Sequence, residues 1–188
     1  MTMLPTDQVI LARFLSHRQV CYLHSSAVVV DGVGLLFVGH SRAGKSTTVK
    51  LLKGQSEILC DDRNIVRRWP DGFRVHGTWS HGEVPVVSSA SAPLSAILLL
   101  AKSPENRLVR LTDRKQILAA LLGCVIKPVV DAGWWNKILD LLAALAKEIP
   151  CYEMRFDKSG AIVPALLELA RTGSKDTAEP ESEPRKAG

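Results

Sequence analysis

Gly39, His40, Ser41, Arg42, Ala43, Gly44, Lys45 and Ser46, followed by Thr47, carry the densest chemistry in this chain. They spell a complete G-x-x-x-x-G-K-[ST] loop between an apolar, β-branched stretch (27–38) and a helix-like one (47–53). A strand–loop–helix setting is what gives this motif its meaning. Its glycines allow a tight turn whose backbone N–H groups converge on a di- or triphosphate, and the following helix adds its positive end. Lys45 can then reach the β- and γ-phosphates, and Ser46 is placed to hold Mg²⁺. Arg42 adds a cation that either pairs with a phosphate or points to solvent. A bound nucleotide is expected; ATP, GTP and pyrophosphate remain open as phosphoryl donors.

Asp61 and Asp62 follow about fifteen residues after the loop, at the end of a short apolar run. One carboxylate there can help position Mg²⁺ with Ser46 while the other accepts a proton from an attacking hydroxyl. The plainer alternative is an acidic turn satisfied by Arg63 and Arg67. His24 lies fifteen positions before Gly39. If its strand neighbours the loop's strand, the imidazole approaches the carboxylates and tunes or holds one of them. The segment His76-Gly77-Thr78-Trp79-Ser80-His81-Gly82-Glu83 is a second polar cluster. Glu83 can complete a metal site or steer a basic substrate group, and His76 and His81 are potential phosphate or substrate contacts. H-x-x-x-x-H on a glycine-rich loop does not fix tetrahedral geometry, so zinc is not expected. Lys127-Pro128 and Trp134-Trp135 could shape a groove, but the tryptophans stand at helical spacing and are expected in the core.

Several elements must position these groups. Residues 7–18 read as a short amphipathic helix, and 21–30 and 34–38 as strands joined at Asp31-Gly32, a hairpin dipeptide. Strands are also expected at 57–60, 64–69, 73–75, 94–101, 108–111 and 152–156. Pro70-Asp71-Gly72 marks another hairpin. Residues 76–93 are rich in Gly, Ser and Pro, as functional loops often are. Helices are expected at 113–124, with Thr112 as N-cap, at 133–148 and at 162–170. The chain from Arg171 to Gly188 has no large apolar residue and is expected to be a disordered tail behind a domain of residues 1–170. Hairpins around a phosphate loop argue for a mixed, α+β-like α/β fold with a largely antiparallel or mixed sheet, flanked by helices.

The whole chain narrows the function classes. Its 188 residues make one domain with a real core, and 46% hydrophobic with 23% charged residues is ordinary for a soluble protein. No apolar run is long enough to span a membrane and no secretory leader is visible, so a cytoplasmic location is expected. The charge is +5, but the basic residues are dispersed rather than gathered in a stripe with interleaved aromatics, so nucleic acid is not an expected partner. Cys21, Cys60, Cys124 and Cys151 form no C-x-x-C pair and each has apolar neighbours, which predicts buried reduced thiols.

Taken in order, Leu23-His24-Ser25-Ser26-Ala27-Val28, residues 39–47, Leu59-Cys60-Asp61-Asp62, residues 75–83 and Ala92-Pro93-Leu94-Ser95-Ala96-Ile97 resemble the HPr kinase/phosphorylase family. The resemblance is closer to its small bacterial HPr-kinase-like members, some of which phosphorylate serine in ribosomally made peptides, and it spans most of residues 10–170. It implies a P-loop fold related to ATP-dependent phosphoenolpyruvate carboxykinase, with a sheet unlike that of ordinary nucleotide kinases. It also implies one aspartate of the Asp61-Asp62 pair as catalytic base supported by His24, with Lys45 as phosphate ligand. Ser46, Asp61 and Glu83 are the implied metal contributors. The expected activity is ATP- and Mg²⁺-dependent phosphorylation of a serine hydroxyl on a protein or peptide. Full-length relatives are hexamers, which raises homo-oligomerisation here. Three features depart from the family: Arg42 stands where Gly is common, the N-terminal domain has no counterpart, and the C-terminal region that shapes the protein-substrate site is not recognisable. A nucleotide-binding regulatory module and a small-molecule kinase are the alternatives. Phosphoenolpyruvate carboxykinase activity would need a substrate domain for which the chain is too short.

Overall fold

The Asp31-Gly32 turn sets the architecture. Asp31 and Gly32 both have positive φ (49° and 82°), as a two-residue hairpin turn of the primed type requires. The turn folds β2 (Val33–Val38) antiparallel onto β1 (Val20–Val30), from Val30 opposite Val33 to Ser25 opposite Val38. The computed structural model describes residues 6–15, 18–127 and 132–178.

β2 is buried along its whole length and lies between β1 and β6 (Ser91–Lys102), to which it is parallel. Such a strand needs apolar side chains on both faces, and its alternation supplies them. Leu36 and Val38 join a core with Ile117, Leu121, Ile138 and Leu142, beneath α3 (Arg114–Cys124) and α4 (Ala132–Glu148). Leu35 and Phe37 face the opposite core with Val49, Leu52 and Leu166, beneath α2 (Lys45–Leu51) and α5 (Val163–Ala178). The remaining strands are β3 (Glu57–Cys60), β4 (Arg63–Trp69), β5 (Gly72–His76), β7 (Arg107–Leu111) and β8 (Cys151–Phe156). The eight-stranded sheet has the order β2-β1-β4-β5-β6-β8-β7, with β3 pairing β1 and β2 also pairing β6. β6 is parallel to β2 and β8, and the other pairings are antiparallel. The fold is mixed α/β with a mixed sheet flanked by helices, as the hairpin pattern predicts.

β1 changes partners along its length. Val20–His24 pair with β4, whereas the half from Ser25 to Val30 pairs with β2 and, through Ala27, Val28 and Val29, with β3. The exchange of partners falls between His24 and Ser25.

Several local expectations are corrected. α1 is Thr6–Leu15, residues 16 and 17 of the expected 7–18 helix lie outside the described residues, and α2 begins at Lys45, inside the phosphate loop motif. The N-cap of α3 is Asp113, not Thr112, because the Asp113 carboxylate accepts the N–H groups of Lys115 (2.9 Å) and Gln116 (3.4 Å). α5 continues past Arg171 to Ala178, where composition predicts a tail. A Cβ at Gly173 would overlap the Ser95 hydroxyl, so the missing side chain lets α5 lie against β6. Residues 179–188 and Pro128 lie outside the described residues. Trp134 is buried and meets Trp135 edge-on at 5.0 Å, so the pair belongs to the core. All four cysteines are free and buried; burial pushes the Cys21 thiol up to about 12 and the Cys151 thiol to about 11.

Candidate active site

The β1–β2 register places Ser25 opposite Val38, which sets His24 beside Gly39, the first residue of the phosphate loop. The β1–β3 register brings Ala27 opposite Cys60, so the chain leaving β3 delivers Asp61 and Asp62 to the same edge. A hydrogen bond from Ser25 N–H to the Asp62 carbonyl (3.0 Å) fixes that delivery. Asn64, fully buried, donates its amide to the Ser25 carbonyl (2.9 Å) and secures β4 to the same point.

Asp61 is buried, and its carboxylate accepts the backbone N–H groups of Gly82 and Val84, the latter at 2.9 Å. Asp62 faces the cleft. Its Oδ2 accepts the Ser80 hydroxyl (2.7 Å) and lies 2.9 Å from Arg63 Nη1, and its Oδ1 lies 3.6 Å from His24 Nε2. Arg63 Nη1 also donates to Ser80 Oγ at 3.1 Å, closing a triangle that holds the carboxylate in place. Residues 77–90 supply Ser80 and both amides on Asp61, so this irregular segment is the clamp of the acidic pair. Its own limbs are joined by Gly77 N–H to the Ala90 carbonyl (3.1 Å), and Ser88 N–H anchors it to β3 at the Leu59 carbonyl (2.9 Å).

In the loop itself, Lys45 folds inward and its ammonium donates to the carbonyls of Gly39 (2.8 Å) and His40 (3.1 Å). Burial pulls the Lys45 ammonium below its ordinary value. The first helical hydrogen bond of α2 runs from Thr48 N–H to the Gly44 carbonyl, and Gly44 gives no side-chain cap. Lys45, Ser46 and Thr47 therefore carry amides that a helix's first turn leaves without an intrahelical acceptor. Gly39 has no room for a side chain, since a Cβ would come 2.7 Å from that of Ala43. These features fit a phosphate chain. Arg42 adopts φ 66°, a left-handed conformation that costs a non-glycine residue about 1–3 kcal/mol. Glycine is the residue that meets this backbone requirement without strain, and Arg42 meets it at a cost.

A cleft of about 430 Å³ is lined by the predicted residues His24, Ser41, Arg42, Gly44, Lys45, Ser46, Thr47, Asp61, Asp62 and Glu83. Gly39, His40 and Ala43 line a neighbouring cavity on the other side of the loop. Glu83 is largely exposed and pairs with Lys50 at 2.7 Å. Among the described residues, no three His, Cys, Asp or Glu side chains converge as a metal cage. Hydroxyl and carboxylate oxygens along the cleft suit Mg²⁺, which keeps waters and commonly takes only one or two carboxylates besides substrate phosphates. Burial, followed by the nearby Lys45 charge, lowers the His24 pKa against the opposing pull of Asp62, so the imidazole is neutral at pH 7.

Other sequence expectations land elsewhere. His76 sits in β5 opposite Ile65, and His81 is exposed with Nδ1 3.2 Å from the Gly82 carbonyl; neither lines the cleft. Arg67 lies over the Trp69 ring at 3.8 Å, leaving Arg63 as the partner of Asp62. Ser80, Lys102 and Lys158 are site residues that sequence reasoning gave no role. The two lysines were legible only through topology: β2, β6 and β8 are mutually parallel, and Gly39, Lys102 and Asp157-Lys158 lie at their carboxyl ends, where open α/β sheets place ligands.

The mixed sheet, its flanking helices and the loop at the end of β2 define a protein with an HPr-kinase-like fold. The solved Hpr(Ser) kinase/phosphatase from Coxiella burnetii is similar with a TM-score of 0.50 and 12% sequence identity, over 84% of this chain and 92% of that one. The chain belongs to the family described as SynChlorMet cassette protein ScmC, whose model matches residues 1–166. No curated protein is similar to it in sequence. At this identity the solved relative speaks for the fold. Among the described residues, no helix is long and apolar enough to cross a membrane.

Proposed function

We propose that this protein is an ATP- and Mg²⁺-dependent kinase that phosphorylates a serine hydroxyl of a protein or peptide. The observation that carries the reading is the placement of Asp62, fixed by Ser80 and Arg63 and flanked by a neutral His24, in the same cleft as the phosphate loop. ATP with Mg²⁺, when bound, supplies the γ-phosphoryl group. The amides at the start of α2 and the ammonium of Lys45 orient and neutralise the phosphate chain. Ser46, Asp61 and Glu83 are the proposed metal-holding oxygens. Asp62 is the cleft-facing carboxylate of the pair: its Oδ1 takes the proton of the acceptor hydroxyl, while Arg63 and Ser80 keep Oδ2 from turning away. Catalysis of this kind is mostly positioning and charge neutralisation.

The test is transfer of radiolabelled γ-phosphate from ATP, in the presence of Mg²⁺, to proteins and peptides of the source organism. Asp62→Asn is expected to lower transfer about 10²- to 10⁴-fold, the usual worth of a positioned base, with nucleotide affinity retained. Full activity in that variant would overturn the mechanism. A nucleotide-binding regulatory module is the second reading. It is favoured by the engagement of Asp61 with two amides and of Glu83 with Lys50, which leaves few carboxylates uncommitted. Nucleotide binding with no labelled product in wild-type protein would select it.

A further inference from the structure

The two faces of the β4–β5 hairpin differ in kind. Val66, Phe73 and Val75 turn into the core beneath α3 and α4. By alternation, the opposite face carries Arg63, Ile65, Arg67 and Trp69 of β4, with His76 opposite Ile65 and Arg74 opposite Arg67. Ile65, Arg67, Arg74 and His76 each keep part of their surface in solvent, and Trp69 is exposed. This face runs into the candidate active site. His24 of β1 stands opposite Arg63, and both side chains reach Asp62.

Arg67 and Arg74 are dispersed in the sequence and brought together by the hairpin. Like charges directly opposite each other in an antiparallel pair repel. Among the described residues, no carboxylate pairs with either guanidinium, and Asp71 in the hairpin turn pairs with neither. His76 supplies no counter-charge: burial, and then the charges of Arg74 and Arg67, lower its pKa and keep it neutral at pH 7. Stacking over Trp69 holds the Arg67 guanidinium in place. Two fixed, planar cations with no internal partner suit carboxylates from outside.

We propose that this face docks an acidic segment of the phosphate acceptor, with Arg67 and Arg74 taking Asp or Glu side chains about four residues from the serine that enters the cleft. The proposal rests on the kinase reading above. Arg63 holds Asp62, and Arg67 stands four residues further along β4. That separation is about 13 Å at the rise of a strand, and an extended peptide lying along the hairpin has the same rise. A nucleic acid suits the face less well, because the track ends at Asp62, a carboxylate that would meet its phosphates.

Fluorescence anisotropy on the full chain tests this with labelled serine peptides that carry glutamates, alanines or lysines about four residues to either side of the serine. The glutamate peptide is expected to bind about tenfold more tightly than the alanine peptide, and the lysine peptide more weakly than both. Arg74→Glu sets a carboxylate opposite Arg67, where an opposite-charge pair supports the hairpin. Its thermal midpoint is expected to be no lower than that of the unaltered protein, with the glutamate preference gone and alanine-peptide affinity unchanged. Arg74→Gln should lose part of the preference. Equal binding of the glutamate and alanine peptides, or a preference that survives in Arg74→Glu, would overturn the docking face and leave the kinase reading standing. Tighter binding of a single-stranded oligonucleotide than of the glutamate peptide would overturn the choice of partner. With ATP and Mg²⁺, the glutamate peptide is expected to show about a tenfold lower KM than the alanine peptide at similar kcat. A bound glutamate peptide that takes no phosphate would overturn the assignment of this face to the acceptor, whereas no labelled product with any protein or peptide would overturn the kinase reading itself.

Discussion

Two adjacent carboxylates at one strand end meet different neighbours, and the difference separates their tasks. Asp61 is turned inward onto the amides of Gly82 and Val84, while Asp62 is turned outward between Arg63, Ser80 and His24. Removing half of Asp61's accepting capacity leaves a buried N–H without a partner, which costs about 1–3 kcal/mol. Asp61→Asn is therefore expected to lower unfolding stability by about that amount in urea titrations, whereas Asp62→Asn, in a more open position, should change it by less than about 1 kcal/mol. Sequence placed both residues at the site because the spacing from the phosphate loop is visible in the chain. It could not divide their roles, since the division depends on which groups of residues 77–90 each carboxylate meets, backbone amides at Asp61 and the Ser80 hydroxyl at Asp62.

At the scale of elements, that segment is held by contacts rather than by regular structure. Gly77 is packed so closely that a Cβ would overlap the Ser88 carbonyl. Gly77→Ala must push the two limbs apart and release Ser80 from Asp62. Phosphoryl transfer is expected to fall at least tenfold with ATP affinity nearly unchanged, because the phosphate loop is built on β2 and α2 instead; single-turnover transfer alongside calorimetry would separate the two effects. The strands around the site were legible because alternation and the Asp31-Gly32 dipeptide report local chemistry. The parallel pairing of β6 with β2 and β8 was not legible, since it joins segments distant in sequence through apolar runs that fit many partners. Lys102 and Lys158 consequently carried no signal. The extension of α5 to Ala178 was hidden for a related reason: the space beside Ser95 that makes Gly173 acceptable in a helix exists only after β6 is in place.

For the molecule as a whole, His24 and His76 both have folded-state pKa values lowered from 6.5, chiefly by burial, with Lys45 acting next on His24 and Arg74 and Arg67 on His76. The unfolded chain then binds more protons than the folded one in that interval. Stability is complete above about 6.5 and is lost as pH falls toward and through the folded values. Denaturation midpoints should drop between pH 7.5 and 5.5, and the drop should shrink in the His24→Gln, His76→Gln double variant; an equal drop in that variant would remove the histidines as its cause. β1 gives a further consequence at this scale. Because its partners change between His24 and Ser25, beside the cleft, the strand cannot open without parting from β4 at one end and from β2 and β3 at the other. Its backbone protons should exchange with solvent only through complete unfolding. A nucleotide at a hundred times its Kd would then slow that exchange by about 2.7 kcal/mol, along the whole strand from Val20 to Val30 and not merely beside the phosphates.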